Sequence, residues 1–290
     1  MGLRLGYNTN GLAHHRLEDA LRLLAELGYD GCALTLDHHH LDPFAPDLPA
    51  RVDRVGRLAG DLGLGLVVET GARFLLDPRR KHEPTLVSAE ADGRRRRVDF
   101  LLLAVGIARD LGAEAVSLWS GALPAGASPD RAWDPMLEGL ATVAAGAEAR
   151  GVALGLEPEP GMLVEDVDDY LRARAAVGSP ALRMTLDLGH CILTEEGAPE
   201  DVVRRVGSEL VNVHAEDMRR PRHEHLAFGE GEMSYEPIMG ALREIRYDGL
   251  VNVELSRDSH RGPDVARSAL EHLRAAEAAA TKEGAGARAR

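Results

Sequence analysis

The chain repeats one pattern eight times: a short apolar run bounded by Gly or Asp, then a longer stretch with apolar residues at helical spacing. Strand–helix–strand units leave this trace in a sequence, and it predicts a parallel sheet. The runs at 3–7, 31–36, 64–69, 115–119, 152–157, 182–186, 210–214 and 249–254 read as strands. The stretches 17–27, 51–62, 98–111, 133–150, 167–177, 200–206, 235–245 and 264–279 read as helices. Gly28, Gly63 and Gly112 follow the first three helices as stop residues. Eight units spaced roughly 30 residues apart favour a ring closed on itself over an open sheet. No G-x-G-x-x-G follows the first strand, which weakens a dinucleotide-binding alternative. The expected architecture is a single α/β domain, a (β/α)8 barrel over residues 1–280. Residues 281–290, rich in Gly, Ala and Arg, are expected to form a disordered tail.

Composition narrows the function. Asp and Glu outnumber Lys and Arg by 47 to 34, giving a formal charge of −13. Nucleic-acid and membrane-surface binding draw on basic patches, so neither is expected. Two isolated cysteines, Cys32 and Cys191, form no disulfide framework and read as small buried fillers. There is no apolar leader and no run of 18 or more apolar residues, so a cytoplasmic protein is expected.

The ends of the last four strands carry the chemistry. They run apolar and then stop on Glu157, Asp187, His214 and Glu254. In a closed barrel these ends share one rim, where barrel enzymes place their sites. Three carboxylates gathered there repel one another, and without a cation at least one takes up a proton. A divalent metal ion relieves the repulsion. Three carboxylates and one imidazole suit Mn²⁺, Mg²⁺ or Co²⁺, with Zn²⁺ also compatible. His190 and Asp217 stand three residues past two of the strand ends, and Glu69 ends the third strand on the same rim.

At these positions the chain resembles the xylose isomerase-like TIM-barrel superfamily, the sugar phosphate isomerases and epimerases. The resemblance rests on Leu156-Glu157-Pro158, Asp187-Leu188-Gly189-His190, His214-Ala215-Glu216-Asp217, Gly229-Glu230-Gly231-Glu232 and Tyr247-Asp248-Gly249 before Glu254. It implies that Glu157, Asp187, His214 and Glu254 hold one metal ion, and that Glu157 and Glu254 move a proton from opposite faces of the substrate. It implies substrate contacts from His190 and from Arg220 or Arg222; Asp217 and Glu69, by their places at the strand ends on the rim, are expected beside them. It also implies a small polyhydroxylated substrate and a homodimer or tetramer. A metal that polarises a carbonyl and its neighbouring hydroxyl acidifies the C–H between them, and the carboxylates then take and return that proton.

The sequence departs from the family's ketose 3-epimerases, which carry a second Glu six residues past the strand-five ligand; here that position is Leu163. It departs from the AP endonucleases too, reading His223-Glu224-His225 where they have Asp-x-His. Two loops interrupt the rhythm on the mouth side, one around His38-His39-His40 and one from Thr70 to Arg97. The second is expected to cover the mouth, offering Arg79, Arg80 and Lys81 to an anionic substrate, while Arg94–Arg97 forms the solvated start of the third helix. The reading that follows is a divalent-metal-dependent isomerase or epimerase of a sugar, sugar phosphate or cyclitol, acting through a metal-stabilised enediolate. The alternatives are a dehydratase of an inosose-like substrate, in which the same enediolate expels a β-hydroxyl, and a non-catalytic sugar-binding barrel.

Overall fold

The computed structural model describes residues 2–288. Eight parallel strands close a barrel: β1 (Arg4–Asn8), β2 (Gly31–Thr35), β3 (Gly65–Glu69), β4 (Ala115–Trp119), β5 (Ala153–Glu157), β6 (Leu182–Asp187), β7 (Leu210–Ala215) and β10 (Leu250–Val253). Strands β1 to β7 follow one another around the ring, and β10 closes it between β7 and β1. A small antiparallel hairpin, β8 (Asp217–Arg219) and β9 (Arg222–Leu226), rises from the end of β7. The helices are α1 (Leu17–Leu27), α2 (Leu48–Leu62), α3 (Ala91–Leu111), α4 (Pro129–Glu148), α5 (Val167–Val177), α6 (Leu188–Thr194), α7 (Pro199–Val206), α8 (Tyr235–Glu244) and α9 (Gly262–Arg288).

The two-residue period of a strand decides what faces inward. In β2, Cys32 and Leu34 join the large core between barrel and helices, whereas Ala33 joins Val67, Ala115 and Leu250 in a small plug inside the barrel. The same parity carries Glu69, Trp119, Glu157 and Glu254 inward from β3, β4, β5 and the end of β10. Above the plug the interior turns polar: Asn252 Nδ2 donates to Asn212 Oδ1 at 2.8 Å and Thr185 Oγ1 to Ser117 Oγ at 3.1 Å. Asn252 fits because β1 passes it at Gly6, where a Cβ would lie 2.0 Å from Asn252 Oδ1.

Helix ends follow the sequence signals. Gly28, Gly63 and Gly112 take left-handed φ values of 96°, 70° and 67° and cap α1, α2 and α3. Three features differ from expectation. Helix α3 begins at Ala91 and absorbs the arginine run, and Arg97 is buried rather than solvated, its guanidinium 4.4 Å from the Trp119 ring centroid. Helix α6 and the β8–β9 hairpin are additional elements on the mouth side. Helix α9 continues through 281–288, where a disordered tail was expected; residues 289 and 290 lie outside the described residues.

Candidate metal centre at the barrel mouth

Glu157, Asp187, His214 and Glu254 each bring a donor atom within 4.8 Å of the others. His214 is the hub. Its Nδ1 lies 3.1 Å from both Glu157 Oε1 and Glu254 Oε2, and its Nε2 lies 3.0 Å from Glu69 Oε1. Asn10, just past β1, donates its Nδ2 to Glu254 Oε1 at 2.8 Å and fixes that carboxylate from the far side. Asp187 has two tasks: Oδ1 caps α6 by accepting the His190 N–H at 2.9 Å, and the buried Oδ2 has no hydrogen-bond partner.

The electrostatics show the strain of that gathering. Burial pushes the Glu157 carboxyl up to about 8, with Asp187 and Glu254 adding to it and His214 opposing. Burial alone would lower the His214 imidazole; Glu69, Glu157 and Glu254 outweigh it and hold the group well above the usual histidine range. Burial also works against ionising Asp187 and Glu254, but the nearby histidines hold both below the usual carboxylate range. Bonds of roughly 2.0–2.2 Å to a divalent ion place opposed oxygens about 4.2 Å apart, within the span of these four donors. The donor chemistry and the orphaned Asp187 Oδ2 both fit a divalent cation.

The hairpin leans over this centre. His190 Nδ1 lies 3.2 Å from the Pro158 carbonyl and its Nε2 lies 2.8 Å from His223 Nε2. A carbonyl only accepts, so Nδ1 of His190 carries the proton and Nε2 accepts from His223. Burial lowers His190 to about 4, in keeping with a neutral ring. Donor atoms of His190, His223 and His225 also cluster within 4.8 Å, as do those of Asp187, Glu216 and His225. Glu216 is fully buried, and burial and Asp187 hold its carboxyl well above the usual range. Gly189 leaves room for it: a Cβ there would sit 2.0 Å from Glu216 Oε1.

A cavity of about 430 Å³ opens above the centre, with Glu157, His214 and Glu254 on its wall. Glu69 and His190 line it, as does Trp119, which is flanked by His82 and Arg97. Two expected substrate residues lie elsewhere. Asp217 is buried below the hairpin, where its carboxylate accepts the backbone N–H groups of Met218, Gly229 and Met233 and so shapes the loop. Arg220 is exposed at the hairpin tip and pairs with Glu232 at 2.6 Å. Arg257 takes a place on the cavity wall, 2.7 Å from Glu224 of β9. From the loop after β3, Arg73, Lys81 and His82 reach the cavity; Arg79 and Arg80 are not on its wall, and Arg80 pairs with Asp77 at 2.9 Å. His39 and His40 line a separate small recess. Leu163 is buried, and Glu159 faces the cavity instead; burial, then Glu157, Glu254 and Asp187, raise its carboxyl well above the usual range. Asn10 escaped the sequence reading because it does not end a strand, although it follows one closely.

The molecule is thus a closed parallel (β/α)8 barrel with a carboxylate–imidazole centre at its C-terminal mouth. The family model for xylose isomerase-like TIM barrels matches residues 21–276, and the chain belongs to that family. It is 28% identical over 280 residues to fructoselysine 3-epimerase of Shigella flexneri, covering 94% of this chain and 98% of that one. An L-ribulose 3-epimerase structure superposes with a TM-score of 0.80 at 22% identity, over 99% of both chains. A D-tagatose 3-epimerase-like protein gives 0.74 at 22% identity, over 94% of this chain and 98% of its own. No described helix is long and apolar enough to cross a membrane.

Proposed function

We propose that this protein is a divalent-metal-dependent ketose 3-epimerase. The observation that carries the reading is the meeting of Glu157, Asp187, His214 and Glu254 within 4.8 Å at the base of an open cavity. Full-length similarity to a fructoselysine 3-epimerase supports the choice of substrate carbon. Glu157, Asp187, His214 and Glu254 would hold the cation, which would supply polarisation of the substrate ketone and so acidify the neighbouring C–H. Glu157 and Glu254 approach His214 Nδ1 from two different strands, each at 3.1 Å, and in this reading they flank the ligand seated over the centre. One of them removes the C3 proton from one face; the other delivers a proton to the opposite face, inverting the centre. Asn10 keeps Glu254 aimed. His190, fixed by the Pro158 carbonyl and by His223, presents a neutral ring edge to substrate oxygens.

The test is proton NMR of ketoses incubated in D₂O with protein loaded with Mn²⁺ or Co²⁺, the protein and its paramagnetic ion being removed before the spectrum is recorded. Deuterium should enter at C3, and the C3 epimer should accumulate. Glu157→Gln and Glu254→Gln should each slow this by roughly 10²–10⁴-fold, the usual contribution of a general acid or base. Normal turnover by either variant, or loss of water in place of epimerisation, would overturn the assignment.

A further inference from the structure

His214 has two ring nitrogens, and they face different partners. Nδ1 meets Glu157 and Glu254, each at 3.1 Å. Nε2 lies 3.0 Å from Glu69 Oε1. A carboxylate oxygen only accepts, so Nε2 carries a proton. Glu69 stays outside the donor set of Glu157, Asp187, His214 and Glu254. It comes from β3, on the far side of the ring from β7: β4, β5 and β6 separate the two strands one way round, and β2, β1 and β10 the other. The side chain therefore crosses the barrel to reach the imidazole.

Glu69 is itself held in place. Asn252 Nδ2 donates to Asn212 Oδ1 at 2.8 Å, which leaves Asn212 Nδ2 to donate to Glu69 Oε1 at 3.2 Å. The nitrogens of Asn212 and His214 come within 3.1 Å of each other because both donate to that one oxygen. Asn212 and Asn252 are fully buried and Glu69 is 8% exposed, so this chain of hydrogen bonds is shielded from water, and a low local dielectric strengthens each link.

We infer that Glu69 is a positioning residue rather than a substrate contact: by accepting from Nε2 it keeps the proton there and leaves the Nδ1 lone pair of His214 free for the cation. The inference rests on the metal-dependent reading of the centre and specifies what orients its imidazole. A neutral ring with its proton on Nδ1 would turn an N–H toward the centre and give up its place as a ligand. A carboxylate behind a ligating histidine also raises the basicity of the nitrogen that binds. The place of Glu69 at a strand end on the rim suggested a neighbour of the substrate; its oxygen instead serves the ring of His214.

Two measurements on the full chain test this. The first is calorimetric titration of the metal-free protein with Co²⁺. Glu69→Met removes the acceptor at similar length and should weaken binding roughly 100-fold, the upper end for loss of a partner behind a ligating histidine. Glu69→Gln keeps a neutral acceptor, whose hydrogen bond is about half as strong, and should weaken binding roughly ten-fold. With Co²⁺ resupplied to saturation, KM for the ketose in C3 exchange should stay at the wild-type value in Glu69→Gln. The second is long-range ¹H–¹⁵N NMR of the wild type loaded with diamagnetic Zn²⁺, in which His214 should show a protonated Nε2 and a metal-bound Nδ1. Unchanged Co²⁺ affinity in both variants, or a proton on Nδ1 of the loaded wild type, overturns the role of Glu69. So does a raised KM at wild-type metal affinity, which would make Glu69 a substrate contact. If Glu69→Met does not fold, Glu69→Gln carries the comparison alone. Failure of the wild type to bind either Co²⁺ or Zn²⁺ would sink the metal reading beneath it.

Discussion

Replacing Glu157 with Gln should make the metal-free protein more stable while slowing the proposed C3 exchange. Glu157 is 5% exposed, and burial lifts its carboxyl from an ordinary 4.5 to about 8. A carboxyl raised on folding keeps a proton that the unfolded chain releases. Below pH 4.5 both states hold it and nothing is lost. From there to pH 8 the folded state loses ground at ~1.4 kcal/mol per pH unit, reaching about 3 kcal/mol at pH 7 and ~5 kcal/mol above pH 8. The protonated His214 against Glu157 loses a partner in the variant, and that offsets about half of the gain. A net advantage of ~2 kcal/mol for Glu157→Gln at pH 8 remains. The assay is urea unfolding of both proteins in excess chelator at pH 6 and pH 8. The gap should widen with pH. With metal at a hundred times its Kd the order should reverse, because only the wild type gains the ~2.7 kcal/mol of linkage. A variant less stable than wild type at pH 8 without metal would refute the claim that the ligands are held together against their own repulsion.

Two further outcomes follow from the geometry. Asn10→Ala removes the 2.8 Å hydrogen bond to Glu254, so kcat for C3 exchange should fall roughly ten-fold with metal content unchanged, as measured by elemental analysis and NMR; loss of metal would mean that Asn10 supports the ligand rather than the base. Arg97 is fully buried, its Nε and Nη1 have no partner, and burial lowers it to about 9. Arg97→Met should therefore change stability by no more than ~1 kcal/mol, the lost stacking on Trp119 being offset by relief of an unpaired charge; thermal unfolding showing a loss above ~3 kcal/mol would contradict this.

How much could be read in the sequence differs by element, for physical reasons. The barrel strands were legible because a parallel strand covered on both faces is an apolar run with sharp ends, and β4 matches the reading residue for residue. Glu157, Asp187, His214 and Glu254 were legible because each interrupts such a run at its end. Helix α6 and β8 were not, because seven and three residues are too few to establish a period, and β9 was not, because its Arg-His-Glu-His-Leu sequence carries no apolar run. Asp217 and Arg220 were misplaced for a related reason: a charged residue after a strand gives no sign of whether it turns to the cavity or to its own loop. Arg97 was hidden in a run of four arginines whose other members contact solvent or loop carbonyls.

Asp187 joins a helix start to a chemical centre through a single side chain. Its two oxygens are a few bonds apart, so a change in how one is held shifts the other. Loading or emptying the centre should thus register in the backbone amide of His190, whose exchange with solvent would serve as a gauge of occupancy without any label. The coupling also runs outward: a substitution on the remote side of α6 that tilts its first turn would detune the barrel mouth without touching a ligand.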